Sequence, residues 1–235
     1  MTKTYALVII VGINFFLIAC NKDHLDQGTG ECSDRIELED IKPHGQSLSW
    51  IHYNKDVKQK FIDSTGHISD AVILNDLNYG LKSYEVVHVP CVSDATESIQ
   101  VSYNIMRHFT RMINLASNQA SFHIFEFEIS CLFNPAKPLE NQRLDVLSIY
   151  QISPGLLNSE IRSEILTIPL MENPYSIFSF EYEYVPEMIL FNKTFQKVYS
   201  NRTWGLNQWK IYFSKDLGVV AFRNEQGVLW ALDTK

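Results

Sequence analysis

Two carboxylate pairs are the residues whose type and spacing could do chemistry: Glu126 with Glu128, and Glu181 with Glu183. Glycosidic bond hydrolysis uses two carboxyl groups about 5–10 Å apart at a cleft, one donating a proton and the other acting as nucleophile or base. A spacing of two along a strand meets that distance trivially. Each pair also alternates with aromatics, so both read as the wet faces of amphipathic strands. Metal ligation asks for clustered His, Cys or carboxylate groups on one rigid element. The seven histidines are dispersed, and His88 with Cys91, three apart across Pro90, is the nearest approach to a ligand pair. His88 reads as a solvated or core-edge residue. Neither Gly-x-Ser-x-Gly nor a phosphate-cradling loop occurs among the ten scattered glycines. The expectation is therefore of no catalytic residue, no metal site and no cofactor.

The elements that carry these pairs are strands. In Phe122–Cys131, Phe125, Phe127 and Ile129 share one face and the two glutamates the other. In Ile177–Val185, Phe178, Phe180, Tyr182 and Tyr184 oppose Ser179, Glu181 and Glu183. A period of two with one apolar face predicts antiparallel strands packed on a core from one side. Lys60 to His67 reads as a strand entering a tight turn, with Gly66 free to take positive φ. Tyr84 to Val89 is a β-branched strand stopped by Pro90, and Arg143 to Ile152 is a further strand. Ser98 to Ala116 carries two periods at once. Ile105, Met106, Phe109, Met112 and Ile113 recur at helical spacing behind a capping box at Asp94–Glu97, whereas Ile99, Val101, Tyr103 and Ile105 alternate as in a strand. Strand is the reading for its first half. Leu156 to Leu166, between Pro154-Gly155 and Pro169, is read as a short helix. Five short strands follow (188–191, 194–199, 208–214, 217–223 and 228–232), separated by turns at Asn192-Lys193, Lys215-Asp216 and Asn224–Gly227, which implies a meander of hairpins. The expected class is mainly β: one antiparallel, meander-rich sheet, closed as a barrel, open as a half-barrel or folded as a sandwich, with one or two short helices at most.

The chain begins with Met1-Thr2-Lys3 and an apolar run from Tyr5 to Ala19. That run is shorter than the about 20 residues of a membrane-spanning helix and fits the roughly 7–15-residue core of a secretory signal. It ends in Leu17-Ile18-Ala19-Cys20, which resembles the lipobox of bacterial lipoproteins. The resemblance implies that Cys20 takes up diacylglycerol through its thiol and becomes the first residue of the mature chain. Two or three acyl chains anchor a protein stably where one does so marginally. The next residues are Asn21-Lys22-Asp23, with no aspartate directly after Cys20, which points to the outer membrane, at its periplasmic face or at the cell surface. Residues 1–19 are thus a signal peptide, 20–47 the lipidated cysteine with a polar tether, and 48–235 a β-rich domain.

Without the leader, 216 residues remain, enough for one substantial core. Loss of Lys3 leaves 19 basic residues against 27 acidic ones. An acidic surface argues against nucleic acid and against electrostatic docking on anionic lipid. Cys32, Cys91 and Cys131 are the cysteines left once Cys20 is lipidated, and an exported compartment permits disulfides. A Cys91–Cys131 bridge and buried free thiols stand as alternatives. Asp63-Ser64-Thr65 resembles the Asp-Ser/Thr site of bacterial O-glycosylation and falls on a predicted exposed turn, which nominates Ser64.

The carboxy-terminal hairpins resemble those of small Bacteroidetes-type lipoproteins. The likeness rests on Val198-Tyr199, Tyr212-Phe213-Ser214-Lys215-Asp216-Leu217-Gly218 and Gly227-Val228-Leu229-Trp230. It implies an envelope address and a β fold and carries no catalytic residue across. The Gly218-Val219-Val220 hairpin also resembles, as fold analogy alone, half-barrel periplasmic carriers with a hydrophobic cavity. Trp204, Trp209 and Trp230 with Tyr199, Tyr212, Phe213 and Phe222 can fill a core or line a pocket. The leading expectation is a non-enzymatic, lipid-anchored module that binds an envelope protein or an extended ligand. A carrier of a hydrophobic ligand and an enzyme of unrecognised type are the alternatives.

Overall fold

The computed structural model describes residues 35–51, 58–74, 80–90, 98–116, 123–134, 142–154, 159–170, 180–202 and 209–234. Their strands are β1 (Arg35–Glu37), β2 (Lys58–Asp63), β3 (Ile68–Leu74), β4 (Gly80–Pro90), β5 (Ser98–Ala116), β6 (His123–Phe133) and β7 (Arg143–Pro154), followed by β8 (Glu160–Pro169), β9 (Tyr182–Leu190), β10 (Lys193–Asn201), β11 (Lys210–Ser214), β12 (Gly218–Arg223) and β13 (Leu229–Leu232). One short helix, α1 (Gly45–Leu48), precedes β2.

The thirteen described strands belong to one sheet: eleven run in the order β8-β7-β6-β5-β3-β2-β13-β12-β11-β10-β9, and β1 and β4 each pair with β5. The pairing of β13 with β2 joins the carboxy-terminal meander to the amino-terminal hairpin. The sheet curls into a half-barrel: its end strand β8 packs against β9, β10 and β11 without pairing with them. Among the described strands every pairing is antiparallel except that of β1, which runs parallel to β5 and is followed by a parallel bridge from Ile41 to Ile105. Inside the curl lies the core, with Phe61, Phe125, Phe127, Phe195, Phe213 and Phe222 all fully buried.

Two turns show how local chemistry fixes register. At the β2–β3 turn, Asp63 Oδ1 accepts hydrogen bonds from the backbone N–H groups of Thr65 and His67, and Gly66 adopts φ +88°, as the sequence predicts. At the β9–β10 turn, Phe191 and Asn192 both take positive φ (47° and 62°), the two-residue geometry whose twist matches the flanking strands. The edge strand β9 runs through Pro186, where the sequence suggested two separate strands. Gln196 pairs with Glu187 and Val198 with Val185, while Lys197 between them takes φ +51°. A proline and an irregularity on an outer strand blunt it against unwanted pairing.

β5 resolves the double period of 98–116: all of it is strand. The helical spacing arises because apolar side chains lie on both of its faces. Val101, Tyr103 and Ile105 are buried in a small second cluster with Leu38, Ile41 and Phe133, whereas Met112 is buried in the main core. Its amino-terminal half also carries β4 on one edge and β1 on the other. β1 and the buried Ser47 and Trp50 therefore pack on the domain from within or beside the stretch expected to be tether. The expected capping box at 94–97 lies outside the described residues.

The helix expected over 156–166 is not formed. From Glu160 onward this segment is β8, hydrogen-bonded to β7, with Leu166 and Ile168 buried and Ile161 exposed. An irregularity of register between Ile149 and Tyr150 shifts the alternation of β8, which gives its apolar residues the mixed spacing that mimics a helix.

Candidate functional site

The glutamates of β6 lie opposite arginine, phenylalanine and tyrosine residues of their neighbours. Arg111 and Phe109 of β5 stand across from Glu126 and Glu128, and Tyr150 and Ser148 of β7 stand across on the other side. Residues directly opposite in an antiparallel pair share a face. The face turned away from the main core is therefore a charged one, as the alternation predicts, but it is not wet. Glu126 is 6% exposed and Glu128 2%.

A continuous ladder of ion pairs covers them. Arg107 lies between Glu85 at 3.8 Å and Glu128 at 3.5 Å. Arg162, reaching from β8, donates to Glu128 and also, through Nε, to Glu126 at 2.7 Å. Arg111 Nε donates to the other oxygen of Glu126 at 2.7 Å, and its two terminal nitrogens clamp Glu160 at 3.1 and 2.8 Å. The Arg162 guanidinium lies 3.5 Å from the centroid of the Tyr150 ring. Burial works against the charges of Arg111 and Arg162, but the carboxylate hydrogen bonds overcome it and hold both firmly protonated. Both buried carboxylates thus have arginine partners, and the ladder forms a rigid polar floor.

Beside this floor opens a cleft of about 940 Å³. Strands β4 to β8 supply Glu85, Tyr103, Arg107, Glu128, Phe133, Tyr150, Glu164 and Thr167, and the far side carries Phe180, Glu181, Asn201 and Arg202. Thr167 and Ser148 share a hydroxyl hydrogen bond of 2.8 Å on its wall. Burial, with the neighbouring charges of Glu85 and Glu128 respectively, raises the Tyr103 and Tyr150 phenols above their ordinary value. Both stay neutral donors at physiological pH. The lining can hydrogen-bond and stack on a polar ligand along several strands at once.

Asp145 of β7, opposite Cys131 of β6, is fully buried and pins α1. Its Oδ2 accepts from the His44 backbone N–H at 2.6 Å and from the Ser47 hydroxyl at 2.7 Å, and His44 Nδ1 lies at 3.0 Å. An aspartate from a distant strand thus does the work of a cap for a helix whose own preceding residue provides none.

The nominated residues fall in different places. Cys131 lies opposite Asp145 and is a free, buried thiol, pushed up to about 12 by burial. Such a thiol is inert. Cys20, Cys32 and Cys91 lie outside the described residues, so the Cys91–Cys131 bridge has one end there. Ser64 is exposed at the β2–β3 turn, next to Thr65, whose hydroxyl bonds to Asp63 and His67 at 2.7 Å each. His88 is exposed on β4. Glu181 and Glu183 are exposed, and Glu183 accepts from Lys210 at 2.8 Å and from Ser200 at 3.2 Å. Among the described residues no three His, Cys, Asp or Glu side chains are arranged to hold a metal ion. Of the carboxy-terminal aromatics, Phe213 and Phe222 fill the core, with Trp209, Tyr212 and Trp230 packed around it. Trp204 lies outside the described residues.

Sequence reasoning missed Arg107, Arg111, Arg162 and Asp145. The first three had a signal: once 98–116 and 160–169 are strands, arginines at alternate positions face glutamates at alternate positions. Asp145 had none, because its partners lie about 100 residues away in the chain. The chain matches no protein family, no curated protein and no solved structure with which it was compared.

Proposed function

We propose that the protein is a lipid-anchored, non-enzymatic binding module of a bacterial cell envelope, held at the membrane through Cys20 and receiving a polar, extended ligand in the cleft over β5–β8. The observation that carries this reading is the cleft itself, about 940 Å³ beside a floor of internally paired charges. Preorganised polar groups lower the cost of binding because they need no rearrangement when the ligand arrives. The same pairing disfavours an acid–nucleophile role for Glu126 and Glu128, since neither oxygen pair is left to work on a substrate. The carrier reading draws less support, because the carboxy-terminal aromatics pack into the core and do not line this cleft.

The reading is tested on a displayed panel of peptides and oligosaccharides, comparing wild type with Glu164→Trp. Position 164 is exposed and on the cleft wall, so the indole obstructs the cleft without disturbing the core. The expected outcome is a set of ligands retained by wild type and lost by the variant. Identical retention by both proteins, or none by either, would contradict the proposal.

A further inference from the structure

The lining of the cleft is unequal in charge. It contains four carboxylates, Glu85, Glu128, Glu164 and Glu181, against two arginines, Arg107 and Arg202. Arg107 is shared between Glu85 and Glu128, which leaves Arg202 to face Glu164 and Glu181 across the opening. Glu164 and Glu181 are exposed and have no ion-pair partner among the described residues. The opening of the cleft is therefore acidic while its floor is neutralised. Partly buried Phe133, which meets the buried Tyr103 edge to face at 4.9 Å, and Phe180 offer aromatic surface in the lining. Carboxylates next to aromatic rings favour ammonium and guanidinium groups.

A second, independent feature bears on the shape of the ligand. β8 ends the sheet, so the outer edge of its amino-terminal half has no strand partner among the described residues. Glu160 to Glu164 are all exposed, and Ile161 presents an apolar side chain at 54% exposure. Glu164, Ile165 and Thr167 carry the same strand into the cleft wall. An open edge of this kind offers a ladder of backbone donors and acceptors to an extended peptide, and no equivalent ladder to a sugar chain.

We infer that the cleft receives an extended, lysine- or arginine-bearing segment of a partner protein, added as a strand along the outer edge of β8 with its basic side chains directed to Glu164 and Glu181. This rests on the cleft being a binding site. Backbone pairing supplies affinity; Glu160 and Arg162 of the edge are already paired within the ladder, so Glu164 and Glu181 select the partner.

The test uses full-length protein in neutral detergent and three fluorescent probes: a decapeptide alternating lysine and threonine, its glutamate–threonine counterpart, and a neutral hexasaccharide. The lysine peptide is expected to bind, to weaken as salt rises, and to slow amide hydrogen exchange over residues 160–164. Glu164→Gln and Glu181→Gln should each cost about threefold in affinity and together about tenfold, the scale of partly exposed ion pairs. Equal binding of the two peptides would overturn the inference, as would lysine-peptide binding that leaves 160–164 unprotected and ignores both substitutions. Binding of the hexasaccharide alone, lost in Glu164→Trp, would overturn the peptide inference while sustaining the binding module. Failure of all three probes to alter exchange anywhere in β4–β8 would count against both.

Discussion

The two glutamate pairs have the same sequence pattern and opposite surroundings. Glu126 and Glu128, spaced by Phe127, are nearly inaccessible, whereas the Glu183 side chain, spaced from Glu181 by Tyr182, is 45% exposed. Alternation placed both pairs on the face away from the aromatics, and it could do no more. The difference comes from position in the sheet. β6 is an inner strand, with β5 and β7 on its two sides and β8 one further, so three arginines from its neighbours can lie across its polar face. β9 is an edge strand, so Glu183 finds partners on one side alone, Ser200 and Lys210. Whether a polar face is wet is thus decided by strand order, a property of the whole chain.

The comparison can be broken most forcefully at Glu128. Glu128→Ala leaves Arg162 and Arg107 facing a buried void without their counter-charge. Because those arginines are one-third exposed, the expected loss is about 3 kcal/mol, the low end for breaking a buried pair. It would be read by denaturant unfolding, and a loss below about 1 kcal/mol would show that the ladder is ornamental. Arg111→Ala removes one contact to Glu126 and the clamp on Glu160, and about 1.5 kcal/mol is expected from charge-assisted hydrogen bonds. At the exposed pair, Glu183→Ala should cost at most about 1 kcal/mol, and a double-mutant cycle with Lys210→Ala would isolate that coupling. A Glu183→Ala loss equal to that at Glu128 would erase the distinction between the two pairs.

Acid sharpens the contrast in another way. Lys210's hydrogen bond outweighs burial and holds the Glu183 carboxyl below its ordinary value. Its contribution is present above the unfolded pKa and is lost as pH falls through the folded one. At Asp63, burial alone would raise the pKa, but hydrogen bonds from the Thr65 hydroxyl and from His67 bring it down to about 2 from 3.8. The stability that Asp63 adds is full above pH 3.8 and disappears toward pH 2. The stability gap between wild type and Asp63→Asn should therefore narrow over that window, and a gap that widens on acidification would refute the assignment. The smallest effect belongs to Cys131: a maleimide reagent should leave it unmodified in the folded protein and label it on unfolding.

The strands were legible where one face alone is apolar. Phe125, Phe127 and Ile129 placed β6, and Gly66 with Asp63 placed the β2–β3 turn, because period two and positive φ are local properties. β5 and β8 were harder. β5 is apolar on both faces, since a second small cluster sits on its amino-terminal half, and β8 is shifted by a local irregularity, so each mixes periods. Strand order, the pairing of β13 with β2 and the half-barrel curl left no local trace. The ladder was half legible. Its glutamates were conspicuous, but its arginines sat in the two segments whose period was ambiguous. The cleft, built where the two ends of the sheet approach, depends on contacts that no window of sequence contains.

The proposal joins this domain to a membrane by one atom, the sulfur of Cys20, and that link is the most direct point of attack. Wild type and Cys20→Ala would be expressed in a bacterial host with a lipoprotein pathway, labelled with palmitate and fractionated, with protease added to intact cells. Label and membrane retention that both require Cys20 are the predicted result, with protease sensitivity separating the cell surface from the periplasmic face. If the two proteins fractionate alike and neither takes up lipid, the anchored module is wrong, and Tyr5 to Ala19 must act as a plain signal or an uncleaved anchor.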